Sequence, residues 1–281
     1  MAVFLVIIIA IGWFLAQFYG DSTILYIAVA FSLFMNFFSY WFSDKIVLKM
    51  SGAKPATREE YFDLYTVTEN LAITAGLPMP KLYVIKDSVP NAFATGRNKE
   101  HAVVAVTTGL IEILERNELE GVVAHELAHI GNRDILLQTI VVVLVGFIAI
   151  LSDMFTRSLW FGGGDRDNKA GGWLVIVGIA LMILSPIIAT LIQLAISRKR
   201  EFLADATGAL LTRYPEGLAG ALQKIEAYSR PMKRASHATA HMYISNPFGG
   251  DKTREAGFFE KMFMTHPPTQ ERIVALRGMS I

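Results

Sequence analysis

The sequence predicts an α+β membrane protein: four transmembrane helices, with a mostly helical soluble part and a small β-sheet outside them. Three observations carry that expectation. Hydrophobic residues make up 53% of the 281 residues and charged residues 18%, against about 25% charged in soluble domains. The apolar residues gather into four long stretches rather than into short amphipathic ones. The remaining segments show helical or alternating periodicity with ordinary polar content. The net charge of +1 gives no basic footprint, so no nucleic-acid partner is expected. The chain has no cysteine, which removes disulfides and thiolate ligands, and any metal site must use His, Asp or Glu.

The first stretch runs from Ala2 to Tyr19 without a charge, within the roughly 17–25 residues a span needs. It lacks a basic start and a small-residue cleavage site, and a second span follows at once. The pair therefore reads as a hairpin rather than a signal peptide. The second stretch, Ile24 to Phe42, is interrupted only by Ser32, Asn36 and Ser39. The third runs from Ile135 to Leu151 and the fourth from Trp173 to Ile196, carrying Gln138 and Gln193 respectively. Pro186 predicts a kink in the fourth.

Lys and Arg collect on the cytoplasmic side of spans. The turn Gly20 to Thr23 has none, whereas Lys45, Lys49, Lys54 and Arg58 follow span two and Arg198, Lys199 and Arg200 follow span four. The Gly-rich loop between spans three and four balances Arg157, Arg166 and Lys169 with Asp153, Asp165 and Asp167. The expected organisation is an N-terminal transmembrane hairpin over 1–44 and a cytoplasmic part over 45–134. A second transmembrane hairpin over 135–196 carries an outside loop at 156–172, and a second cytoplasmic part covers 197–281. Both termini fall in the cytoplasm, which implies a multi-pass protein of the cell (inner or plasma) membrane with the lipid bilayer as a partner.

In the soluble parts, Thr57-Arg58-Glu59-Glu60 is a capping-box pattern opening a helix that Gly76 and Pro78 stop. Lys81 to Lys86, Asn91 to Gly96 and His101 to Val106 read as strands, the last two joined by a polar turn. A short helix from Thr108 to Leu114 follows. Asn117 to Glu120 then starts the helix that contains His125-Glu126-Leu127-Ala128-His129. Beyond span four the helical pattern continues through Arg198 to Leu211, with another helix from Pro215 to Tyr228. Ser229 to Phe258 reads as a loop region and a candidate lid. Pro267-Pro268 opens a last short helix containing Ile273 and Leu276.

The chemistry centres on HELAH. Residues four apart share one helical face, so both imidazoles reach one cation, with Glu126 beside them to take a proton from water. A catalytic zinc needs a third protein ligand and an open position. In the extended pattern HExxHxxGxxH that ligand and its glycine would be at 135 and 132; Ile135 and Asn132 stand there instead. Glu201 is the best candidate, with Asp205 four residues on as the partner that fixes the tautomer of a zinc histidine. Two antiparallel spans between HELAH and Glu201 return the chain to the same membrane face, which brings the groups together.

With these pieces in place the chain resembles the HtpX family of membrane zinc endopeptidases, in the wider gluzincin superfamily. The resemblance rests on Asn91 to Gly96 (NAFATG), His125 to Asp134 (HELAHIGNRD), Ser197 to Asp205 (SRKREFLAD) and Thr265 to Ile273 (THPPTQERI), in that order and with the same hydrophobic layout. It implies a zincin-type cytoplasmic protease domain and one zinc ion per chain on His125, His129 and Glu201. It also implies Glu126 as the catalytic carboxylate, and a role in membrane-protein quality control with misfolded or damaged membrane proteins as substrates. His237, His241 and His266 are candidate oxyanion donors. Asn91, Ala92, Phe93 and Ala94 form a candidate edge for pairing with an extended substrate. A prenyl-peptide-processing membrane zinc protease is the nearest alternative, but four spans are few for it. A non-enzymatic metal-binding membrane scaffold is the other, and the intact Glu126 argues against it.

Overall fold

The computed structural model of the chain describes residues 2–143, 178, 198–228, 230–236, 238–249 and 267–279. The chain divides into two compact units, one of residues 1–43 with 143–190 and one of residues 44–142 with 191–281.

The first unit opens with α1 (Ala2–Tyr19), which turns at Gly20, in the left-handed region at φ 66°, into α2 (Thr23–Ser51), whose residues from Asp44 on belong to the second unit. Asp21 accepts the Thr23 main-chain N–H at 2.8 Å and closes the turn. The two helices lie close because Gly12 leaves room for the Ala28 side chain, the small-residue contact that packs helices in lipid. Among the described residues, one helix is long and apolar enough to cross a membrane, Thr23–Ser51. Its large side chains Tyr26, Phe34 and Phe37 are exposed, a surface suited to hydrocarbon rather than water. The helix runs past the expected end of the span because nothing breaks it before Gly52, at φ 70°. The outside loop at 156–172 lies outside the described residues, as do the fourth span apart from Gly178 and the third beyond Val143.

The second unit is mostly helical with a small mixed sheet. Strands β1 (Lys54–Pro55), β2 (Lys81–Ile85), β3 (Ala92–Gly96) and β4 (Ala102–Thr107) stand in the order β1-β2-β4-β3. β2 and β4 are parallel, with Val84 opposite Val106, and the β3–β4 hairpin is antiparallel, with Phe93 opposite Ala105. The two-residue β1 is too short to leave a periodicity in the sequence. The expected capping box at Thr57 is a turn instead: Thr57 Oγ1 accepts the Glu60 N–H at 3.4 Å, and helix α3 begins at Phe62 and ends at Thr74.

A short helix α4 (Thr108–Ile113) leads to α5 (Arg116–Gly131), which carries HELAH. The N-cap of α5 is Glu115, two residues before the expected one at Asn117. Glu115 and Glu118 form the reciprocal box, and the Glu115 N–H donates to Glu118 Oε2 at 2.8 Å. From Leu119 to Ile130 nearly every residue of α5 is buried, as expected of a helix enclosed on all sides. It lies among α3, β3, α7 (Arg198–Thr212) and α8 (Pro215–Glu226). Leu119, Val122, Val123 and Leu127 join Leu82, Val84, Val104 and Val106 of the sheet in one core. Helix α6 (Asp134–Val143) follows α5, and α9 (Thr269–Arg277) packs on α8 and α7.

Two glycines set the helix spacing around α5. A Cβ on Gly121 would sit 2.5 Å from the Leu218 nitrogen of α8, and one on Gly208 of α7 would sit 2.9 Å from the His125 nitrogen. The buried face of α7 is Glu201, Ala204, Asp205, Gly208 and Ala209. Small residues at positions 204, 208 and 209 let the backbones approach, which brings the carboxylates at 201 and 205 within reach of the α5 imidazoles.

Candidate metal centre

His125, Glu126 and His129 are polar residues in the middle of a buried helix, at 1%, 2% and 4% exposure. Burying such groups without partners costs several kcal/mol each, so their partners define the site. The two imidazoles meet edge to face with their Nε2 atoms 3.2 Å apart. Glu201 comes in from α7, with Oε1 3.5 Å from His129 Nε2 and Oε2 3.8 Å from His125 Nε2. One ligand atom from each of the three residues lies within 4.8 Å of the others.

Each imidazole is held from behind by a carboxylate. His125 Nδ1 lies 2.9 Å from Asp205 Oδ1, and His129 Nδ1 lies 3.2 Å from Asp134 Oδ2. With Nδ1–H donating to a carboxylate, each ring turns Nε2 toward the centre, the arrangement that orients metal-binding histidines. Behind Asp205 stands Arg272, at 1% exposure. Its Nη2 and Nε grip Oδ1 and Oδ2 of Asp205 at 2.6 and 2.8 Å, and its Nη1 donates to the Ile244 carbonyl at 3.3 Å. Behind Asp134 stands Arg200, at 3.2 Å. Sequence reasoning missed Asp134, Arg200 and Arg272. The available signal for Arg272 was a charge four residues before Leu276, on the face α9 buries.

The donor set fits a zinc ion on two counts. Tetrahedral Zn–N bonds of about 2.0–2.1 Å place two nitrogens roughly 3.3 Å apart, and a Zn–O bond of similar length gives a similar N···O spacing. The observed separations of 3.2, 3.5 and 3.8 Å are close to these. Charge balance agrees. Among the described residues, four buried carboxylates, Glu126, Asp134, Glu201 and Asp205, face two arginines, Arg200 and Arg272. With neutral imidazoles two negative charges remain, which one dication would cancel.

The metal-free protonation pattern follows from the same contacts. Burial and the neighbouring Arg272 hold His125 down at about 4 against the pull of Asp205. Burial also disfavours charge on His129, but Asp134, Glu201 and Glu126 together push it up to about 9. His129 thus donates from both nitrogens, and its Nε2–H points at the bare His125 Nε2. Burial raises Glu126 to about 7, in the range that suits a general base. Burial alone would raise Asp205, but Arg272 holds it near 2.

β3 is an edge strand, as the substrate-edge reading requires. Its register turns the backbone groups of Asn91, Phe93 and Thr95 toward β4 and those of Ala92, Ala94 and Gly96 outward. Part of that edge is already paired: Ile244 N–H donates to the Ala92 carbonyl at 2.9 Å, and Gly96 N–H donates to Thr139 Oγ1 at 3.4 Å. The Asn91 amide exchanges two hydrogen bonds with the Ser245 backbone. Ala94 is the position that faces the centre, with its N–H directed at the Glu126 carboxylate. His241 is buried and its Nε2 pairs with the Gln138 carbonyl at 3.1 Å. His237 and His266 lie outside the described residues. Residues 238–244, expected in a loop or lid, are buried, and Ala240–Met242 pack against β3.

Comparison with known proteins gives a consistent result. The model of peptidase family M48 matches residues 59–280. An HtpX protease homologue of Caldanaerobacter subterraneus subsp. tengcongensis is 46% identical, over 100% of this chain and 93% of its own length. One of Pyrococcus furiosus is 50% identical, over 98% and 92%. Among solved structures, the crystal structure of S. mikatae Ste24p superposes with a TM-score of 0.53 at 20% identity. That match covers 98% of this chain and 62% of that one, and it bears on the fold alone.

Proposed function

The chain belongs to peptidase family M48, with the HtpX proteases, and is a membrane-bound metalloprotease; we propose that its metal is zinc, one ion per chain, held by His125, His129 and Glu201. The convergence of those three side chains on one point, with the acid Glu126 beside them, is the observation that carries the reading.

When bound, zinc would supply Lewis-acid polarisation of the peptide carbonyl and activation of a water. The chain's own residues do the rest. Glu126 takes the proton of the attacking water and passes it to the leaving nitrogen. Asp205 and Asp134 keep the two imidazoles in the tautomer that directs Nε2 inward. An extended substrate lies along β3 at Ala94, where the outward carbonyl accepts a backbone N–H; the pairings at Ala92 and Gly96 limit the contact to this one position. His237, His241 and His266 remain the candidate oxyanion donors, His241 with one nitrogen already committed to Gln138.

The Lys and Arg distribution supports a multi-pass protein of the cell membrane, with four spans and with both termini and the protease site on the cytoplasmic face. On the resemblance to HtpX, the substrates are misfolded or damaged membrane proteins in quality control. The decisive experiment is Glu126→Gln in detergent. It should keep zinc and lose casein cleavage by several orders of magnitude. Cleavage near the wild-type rate would refute the assignment.

A further inference from the structure

We propose that Arg272 is a positioning residue that makes zinc loading and the docking of helix α9 one linked event; this rests on the zinc reading of His125, His129 and Glu201. Arg272 is the deepest charged side chain of α9, fully enclosed, while its neighbours Val274 and Gln270 face outward. A nine-residue helix is far below the length that is stable alone, and α9 buries only Ile273 and Leu276 as apolar anchors. Exposed pairs add to these, Arg277 with Glu216 and Gln270 with Glu226, but surface pairs contribute little. Among the described residues the buried polar attachment of α9 runs through Arg272, chiefly by its fork with Asp205.

That fork reaches the metal centre from two sides. Asp205 accepts the His125 Nδ1–H at 2.9 Å, so the orientation of the carboxylate sets the orientation of the ring. Arg272 Nη2 lies 3.5 Å from the same Nδ1, and Nη1 lies 4.0 Å from Glu201 Oε2. One guanidinium thus fixes the partner of one ligand and stands beside another. The Ile244 carbonyl, third partner of the guanidinium, belongs to the segment whose N–H caps Ala92 of β3. With α9 undocked, Asp205 would be a buried carboxylate without its cation, and His125 would lose its fixed pose.

Linkage is reciprocal: whatever factor Arg272 docking adds to zinc affinity, zinc adds to α9 docking. Losing a partner behind a metal ligand weakens affinity by about 10–100-fold. Zinc should therefore lower the undocked population of α9 by the same factor. The step is not a chemical one, and it is readable without substrate.

The test uses full-length protein in detergent, metal-free and zinc-loaded. Three quantities are measured: zinc affinity by chelator competition, hydrogen exchange of residues 269–277, and the visible spectrum of the cobalt(II)-loaded form. In wild type, zinc should slow exchange in 269–277 about 10–100-fold. Arg272→Lys keeps the charge but not the fork. It should weaken zinc binding, shift the cobalt bands and reduce the zinc effect on exchange. Because Arg272→Met alone would strand a buried carboxylate, the charge-neutral pair Arg272→Met with Asp205→Asn provides a second variant. It should fold, bind zinc 10–100-fold more weakly and show exchange in 269–277 insensitive to zinc. A merely structural arginine would change exchange with and without metal alike and leave the cobalt bands in place, which would overturn the proposal. Wild-type zinc affinity in both variants would overturn it as well. His129→Ala separates the two levels of the argument. Zinc lost there while both Arg272 variants keep wild-type affinity defeats this inference alone, whereas zinc retained there defeats the site reading and this inference with it.

Discussion

Loading metal-free protein with zinc at pH 7 should expel between one and one and a half protons. The proton comes from His129, which three carboxylates push up to about 9. At that value about 99% of His129 is protonated at pH 7, against roughly a quarter at its ordinary 6.5. A ligating imidazole must be neutral, so metal and proton compete. Glu126, pushed up to about 7, adds up to about half a proton, because a nearby dication favours its charged form. From pH 7 to 8 the His129 proton alone should raise zinc affinity about ninefold, whereas a histidine of ordinary pKa would give about 1.3-fold. The raised pKa also stabilises the metal-free fold. That stabilisation is fully present below the unfolded value of 6.5 and is lost as pH rises through about 9. Thermal unfolding of the metal-free protein should thus shift downward between pH 7 and 9. Calorimetric zinc titration in buffers of different ionisation enthalpy counts the protons, and chelator competition at each pH gives the affinity slope. Asp134→Asn removes one of the carboxylates and should flatten that slope. Release of less than about 0.3 protons at pH 7, with flat affinity from 7 to 8, would refute the protonated His129–His125 contact.

Glu201→Ala should strip zinc together with activity, and Asp205→Ala should weaken zinc about 10–100-fold; full zinc content in Glu201→Ala after gel filtration would place the third ligand elsewhere. Gly121→Ala sets a Cβ 2.5 Å from the Leu218 backbone nitrogen, where no side chain can yield. It should cost about 1–3 kcal/mol as an overpacking change, and an unchanged melting temperature would contradict the close α5–α8 approach. A cysteine at Ser158 of this cysteine-free chain should react with an impermeant thiol reagent from outside the cell; labelling only after lysis would overturn the orientation drawn from the charges.

Much of the centre was legible because it obeys helix arithmetic. His125 and His129 are four apart on one helix, and Glu201 and Asp205 are four apart on another, so each pair shares a face without reference to the rest of the fold. The strands of the hairpin and the helix of HELAH were legible for a similar reason, as runs of local pattern. The part that was not legible depends on breaks in pattern and on distance along the chain. Asp134 reaches back to His129 only because Arg133 adopts a left-handed conformation, φ 62°, which no periodicity in this stretch announces. Arg272 meets Asp205 across 67 positions of sequence, and Lys54–Pro55 is too short a strand to register at all.

Charge counting would nevertheless have pointed to Arg272. Glu126, Glu201 and Asp205 carry three negative charges into a buried site, and the proposed zinc ion would return two. The remaining charge is costly in a low-dielectric interior unless a cation is buried with it. That requirement sends the search to basic residues on an apolar helix face. Among the described helices after Glu201, α9 supplies one beside Ile273 and four before Leu276. Asp134 adds a fourth carboxylate and so calls for a second cation, which Arg200 supplies from the first turn of α7, one residue before Glu201. The two arginines are thus part of the same charge balance as the metal. A variant that removes one of them should be compensated better by removing its carboxylate than by any change at the ligands.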